Sequence, residues 1–237
     1  MNITRLLLLA GIVSLSCILA SCFREADPGP LQLGEKDFAI LDFDRIEAGY
    51  GLNITIQQGP LFVVHAEGDR RNLSDLVVVK LGTTLHLGFA SGATRDHPTY
   101  ITISMPVLAG ANFSGACNVA ASGISSTKPI DLTISGATIA QFNLVAKDLT
   151  IGLSGASRIT LSGTTQTLVA KVSGASELSG FELTAGQADV DASGSSKINV
   201  NATQTLKANA SGASIIYYRG GAAINFVATG SSSVIPD

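Results

Sequence analysis

The chain has 237 residues, 46% of them hydrophobic and 14% charged. That is too apolar and too weakly charged for intrinsic disorder, and long enough to bury a sizeable core in one or two domains. The formal net charge of −3 would repel a phosphate backbone, which excludes nucleic acid as a partner. Aromatic residues make up only 5% and Trp is missing, so a core must be built from Leu, Ile, Val and Ala.

Residues 1–21 have the form of an export signal. Arg5 is the only charge, an apolar run follows from Leu6 to Ala20, and Leu19-Ala20-Ser21-Cys22 ends it. The run is short for a membrane span. Its ending resembles the bacterial lipobox, in which the Cys is acylated and becomes the new N-terminus; Cys22 is therefore the expected lipidation site. Phe23 follows it rather than an Asp of inner-membrane retention, which points to the outer membrane, with either face open. Residues 22–35, with Pro28 and Pro30, read as a tether. Cys17 falls in the signal and Cys22 takes the lipid, so Cys117 is left alone. It cannot form an internal disulfide and reads as a small buried hydrophobe.

Residues 36–237 read as one domain. Between 36 and 107 the strand candidates are Asp37–Asp42, Leu52–Gln57, Leu61–Ala66, Leu76–Leu81, Leu85–Phe89 and Tyr100–Met105. A helical turn is expected around Asp69–Leu73. These strands should continue the stack described next as irregular coils and cap its open sheet edge.

From 108 to 237 a repeat takes over. A Ser-Gly-Ala-Ser tetrad or a variant begins at Ser114, Ser135, Ser154, Ser173, Ser193, Ser211 and Thr229, with spacings of 21, 19, 19, 20, 18 and 18. Before each tetrad apolar residues recur every second position, as in Leu149, Ile151 and Leu153; that is a strand with one buried face. Beyond the tetrad the alternation resumes at Ile159 and Leu161, and a one-residue phase shift is expected at the Gly. A unit of about 20 residues cannot bury its inner face alone, whereas stacked units can. The expected fold is all-β, a right-handed parallel β-solenoid with an irregular N-terminal cap. Leu153, Val172, Ala192 and Ala210 should form one inward column. The third tetrad residue is never larger than Ala or Ser, which reads as a narrow corner with no room inside. Propeller blades need about twice this period, and a sandwich does not require constant spacing.

Phe43…Ile46, Ile54-Thr55-Ile56-Gln57-Gln58-Gly59, Val63-Val64…Ala66-Glu67-Gly68, Leu85…Leu87 and then the serial Ser-Gly-Ala-Ser coils together resemble the auto-transporter adhesin head GIN domain family. The resemblance covers roughly residues 38–230. It implies an exported, often lipidated β-rich protein and carries over no catalytic residues.

Signals for chemistry are sparse. His65, His86 and His97 fall in no zinc-binding spacing, so no metal and no cofactor is expected. Asp42 with Asp44, and Asp189 with Asp191, are carboxylate pairs that also suit the polar face of a strand. No nucleophile elbow or phosphate loop occurs. At matching offsets in adjacent repeats, Lys171, Asp189, Asp191 and Lys207 form the best group. It reads as cross-strand charge pairing, and it is the candidate ligand patch. The leading expectation is a non-enzymatic, lipid-anchored envelope protein that binds a surface glycan or protein; the sequence is compatible with oligomers. The rival is a carbohydrate-active enzyme on a β-helix scaffold. Thr-x-Thr rows are missing, which speaks against ice binding.

Overall fold

The computed structural model describes residues 29–237. The signal segment, Cys22 and the tether up to Pro28 lie outside them. The chain divides into two compact units. The described part of the smaller one, residues 29–30 and Gly92–Asp96, has no regular structure, and Arg95 Nη1 donates to the Ala93 carbonyl at 2.7 Å within it.

The larger unit, Leu31–Ser91 with His97–Asp237, carries every strand among the described residues. In chain order its elements are β1 (Leu33–Asp37), β2 (Arg45–Ala48), β3 (Asn53–Gln58), β4 (Val63–Asp69), α1 (Arg70–Asp75), β5 (Leu76–Leu81), β6 (Thr84–Phe89), β7 (Thr99–Met105), β8 (Gly110–Phe113), β9 (Asn118–Ser126), β10 (Ile130–Ile134), β11 (Ile139–Leu153), β12 (Arg158–Val172), β13 (Glu177–Ala192), β14 (Lys197–Ala210), β15 (Ile215–Arg219), β16 (Ala223–Ala228) and β17 (Ser233–Pro236). The first strand begins at Leu33, inside the segment read as a tether. The strand expected over Asp37–Asp42 stops at Asp37. Asp42 has φ 58°, and this left-handed turn lets Phe43 drop into the core.

The strands pair in two parallel ladders. Before the corners the order is β6, β2, β8, β10, β11, β12, β13, β14, β16. After them it is β7, β3, β9, β11, β12, β13, β14 and then β15, β17. The long strands β11 to β14 serve both ladders. Antiparallel pairing is confined to the N-terminal cap: β5 on β6, β4 on β7, and β1 on β4. This is the β-solenoid that the repeat implied.

Each corner has the same physical plan. The tetrad's Gly sits at φ 73–79° in all seven, a conformation that strains any residue with a Cβ. The backbone ladder runs straight through it. Ala156 N–H donates to the Gly136 carbonyl at 2.8 Å, and Ala175 N–H to the Gly155 carbonyl at 2.8 Å. Two expectations about the corner are corrected. Its third residue faces out: Ala156 and Ala175 are exposed. The fourth residue faces in, and Ser157, Ser176, Ser196 and Ser214 are all buried. Their hydroxyls find backbone carbonyls, as Ser176 Oγ does at Gly155 (3.2 Å) and Ser214 Oγ at Ala192 (3.1 Å). Nor does the corner shift the alternation. Three residues lie outside between Leu153 and Ser157, an odd number that keeps the parity. The shift occurs at the opposite bend, where buried Ala146 gives way to buried Leu149, and Ala185 to Ala188.

The opposite bend also absorbs the uneven repeat length. Register breaks fall there, between Phe142 and Leu144, Thr160 and Ser162, and Gly180 and Thr184. At the last of these Phe181 loops out. Arg219 stacks over its ring at 4.8 Å and donates to its carbonyl at 2.6 Å.

Spatial order departs from sequence order in the N-terminal part. The β2–β3 coil lies between β6–β7 and β8–β9, although β6–β7 come later in the chain. Its corner is Gly49-Tyr50-Gly51-Leu52. Ser114 N–H donates to the Ala48 carbonyl (2.9 Å) and Asn118 N–H to that of Leu52 (3.0 Å), which puts it in register with the first tetrad. Tyr50 takes the Gly position at φ 62°. Its ring meets Phe89 edge-on at 6.3 Å. The core is mostly aliphatic, with Phe43, Phe113 and Phe142 buried in it. Leu153, Val172, Ala192 and Ala210 are aligned in register and 2–3% exposed.

Candidate functional site

Outward positions of β12, β13 and β14 stand side by side because the pairing is parallel and in register. Lys171 is level with Asp191, which is level with Asn209; Asp189 is level with Lys207. Such neighbours are about 4.8 Å apart across a sheet. Lys207 Nζ lies 3.0 Å from Asp189 Oδ2, and Asn209 Nδ2 donates to Asp191 Oδ1 at 2.7 Å. The hydrogen bond to Asp189, with the charges of Asp189 and Asp191, raises the Lys207 pKa. Lys171 makes no ion pair among the described residues. The structure thus brings the four expected residues together, and adds Asn209, whose neutral side chain gave no signal in a search for charges.

Beside this patch is a groove of about 380 Å³ along the opposite bend, with Thr167, Gln187, Asp189, Thr205, Lys207 and Asn225 on its polar wall. Asp189 and Lys207 are common to patch and groove. The arrangement offers hydroxyl, amide, carboxylate and ammonium groups at a fixed coil spacing, suited to a hydroxyl-rich ligand. The other carboxylate pair is not on a strand. Asp42 and Asp44 lie in the loop before β2.

Charge pairing recurs elsewhere along the coils. Glu177 is 3.0 Å from Arg158 and 3.4 Å from Lys197 on the flanking strands. Burial raises its pKa, but the two cations outweigh burial and lower it. Cys117 fills the inward fourth position of its corner at 0% exposure, and burial raises its thiol pKa; its side chain packs in the core.

The cap holds a second cluster, which no spacing in the sequence announced. His65 Nδ1 is 2.7 Å from Asp37 Oδ1 and its Nε2 is 3.2 Å from Glu67 Oε1. The hydrogen bond to Asp37, against a partial burial penalty and with help from Glu67, raises its pKa. Glu35 lies opposite Glu67 in the β1–β4 pair. His86 is 3.4 Å from Glu47, and the His97 carbonyl accepts from Asn72.

No helix among the described residues is long and apolar enough to cross a membrane. The family described as "Putative auto-transporter adhesin, head GIN domain" matches residues 42–222. No curated protein matches the chain. Among solved structures, a putative adhesin from Bacteroides fragilis superposes with a TM-score of 0.78 at 21% identity, covering 87% of this chain and 97% of that one. A putative adhesin from Parabacteroides merdae gives 0.66 at 19%, covering 87% and 96%. A putative lipid binding protein from Parabacteroides distasonis gives 0.63 at 21%, covering 86% and 96%. At these identities the likeness concerns the fold.

Proposed function

Because the chain belongs to the auto-transporter adhesin head GIN domain family, we propose that it is a non-enzymatic, adhesin-like binding or scaffold module of the cell envelope, held at the outer membrane by a lipid on Cys22. The observation that carries the reading is the in-register polar patch of Lys171, Asp189, Asp191, Lys207 and Asn209 beside the groove. Parallel stacking fixes these side chains on a scaffold, which lowers the ordering cost of binding. The acids are tied to a Lys and an Asn, an arrangement that holds charge in place rather than poising a general acid.

The ligand class we favour is a surface glycan or an exposed protein. The test is an array of glycans and host-matrix proteins, with lipid vesicles alongside, probed with residues 23–237 and with the Asp189→Asn/Asp191→Asn double variant. Binding by the first and its loss in the second is expected. Polysaccharide turnover by the wild type that disappears in the double variant would replace this reading with that of a carbohydrate-active enzyme. The anchor is tested separately. Cys22→Ser should abolish fatty-acid labelling and release the protein from membranes; a variant that still fractionates with membranes, beside an unlabelled wild type, removes the lipoprotein reading.

A further inference from the structure

We propose that Glu35, His65 and Glu67 form a binding site for a divalent transition-metal ion of the zinc class, with Asp37 positioning the imidazole. The placement follows from the cap's topology. His65 and Glu67 are two apart on β4 and share its outward face. Antiparallel pairing with β1 sets Asp37 opposite His65 and Glu35 opposite Glu67. One ligand atom from each of Glu35, His65 and Glu67 lies within 4.8 Å of the others. Small rotations of these side chains bring three donors to the roughly 2.0–2.2 Å that zinc requires.

The hydrogen bonds leave a gap in the accounting. Asp37 accepts, so the 2.7 Å contact to His65 Nδ1 requires a proton on Nδ1. In neutral imidazole Nε2 is then an acceptor, and it sits 3.2 Å from Glu67 Oε1, another acceptor. Something positive has to stand between them. A proton is one candidate, but the cluster holds three carboxylates, and one proton leaves a net charge near −2. Glu35 has no hydrogen bond or ion pair among the described residues, and its position directly opposite Glu67 is an unfavourable like-charge pair. Two cations line the neighbouring groove, Lys36 and Arg70. Lys36 Nζ lies over the Phe38 ring at 5.0 Å, and Arg70 Nε donates to the Leu33 carbonyl at 3.2 Å; neither pairs with the acids. A divalent ion answers the whole cluster at once. Asp37 on Nδ1 then does what a carboxylate behind a metal-bound imidazole does: it fixes the tautomer and raises the basicity of the ligand nitrogen. One imidazole with carboxylates suits zinc and its neighbours, whereas calcium takes an all-oxygen shell.

The test is calorimetric titration of the full chain with Zn2+ near pH 7.5. A single Zn2+ per chain is expected, undisturbed by excess Ca2+. His65→Gln and Glu35→Gln should each weaken it at least ~10-fold, and Asp37→Asn by about 10–100-fold, the usual range for such a partner. His86→Gln, at the His86–Glu47 contact, should leave affinity unchanged. Thermal midpoints without metal separate misfolding from lost ligands, and Glu35, being exposed, is not expected to move them. No Zn2+ uptake by the wild type, or full affinity in His65→Gln, overturns the site and leaves His65 as an imidazolium shared between Asp37 and Glu67.

Discussion

Single residues at the corner decide whether coils can stack. A Cβ on Gly155 would lie 2.5 Å from the Gly136 carbonyl oxygen, at φ 79°. Gly155→Ala therefore combines a left-handed penalty of about 1–2 kcal/mol with a clash against backbone, and should lower the urea midpoint accordingly. Gly82→Ala shares the positive φ but meets nothing within 4 Å, so it should cost only the first part. The inward Ser and outward Ala make a second contrast. Ser176→Leu overpacks a buried position and should cost about 1–3 kcal/mol. Ala175→Leu projects into solvent and should stay within about 0.5 kcal/mol of wild type. Reversed results would mean that the corner is turned the other way. Asp69 offers a titration. It caps α1, accepting from Arg71 N–H at 2.9 Å, from Arg71 Nε at 2.7 Å and from Gln32 N–H at 2.9 Å. The Arg71 side chain first, and these N–H groups after it, hold its carboxyl far below the usual range despite burial. A depressed folded value stabilises above the unfolded value of about 4 and is lost as pH falls below it. Asp69→Asn keeps a competent cap, so stability measured from pH 5 downward should fall less steeply in the variant than in the wild type.

Between elements, the two bends of each coil have different tolerances. The Ser-Gly-Ala-Ser corner carries an unbroken ladder, and one inserted residue would flip every following side chain to the other face. The opposite bend already varies in length, by the Phe181 loop among others. A Gly inserted after Phe181 should shift the midpoint little, whereas one inserted after Ala175 should unfold the neighbouring coils, read as loss of the cooperative transition. This difference also explains what could be read in advance. The corner array was legible because seven tetrads repeat one steric requirement. The eighth corner was not: Gly49-Tyr50-Gly51-Leu52 meets the same requirement with a Tyr held in the left-handed region. The charged patch was legible because parallel register turns a repeat offset into adjacency. The cap cluster was not, since Glu35 and His65 are joined by antiparallel pairing across 30 residues, which no offset encodes.

Across the whole molecule, stability in a stacked array is a sum of coils and the interfaces between them. Coils of β11 to β14 have a neighbour on both sides, while β16 and β17 have one, and Phe226 and Val227 remain 52% and 54% exposed. Amide hydrogen exchange should therefore be slowest in β12 and β13 and fastest in β16 and β17. Uniform protection would show that the array unfolds as one unit.

The interleaved order of the first coils has a consequence for how the chain comes into being. Synthesis releases it N-terminus first. The β2–β3 pair is complete at Gln58, but the strands that flank it are finished only at Met105 and Ser126. At roughly 5–20 residues per second, several seconds pass with Ile54 and Ile56 uncovered and both strand edges open. Every later coil lands on a finished template after some twenty more residues. The first half of the nascent chain is thus the part that needs shielding by a chaperone, and the second half can close behind it one coil at a time.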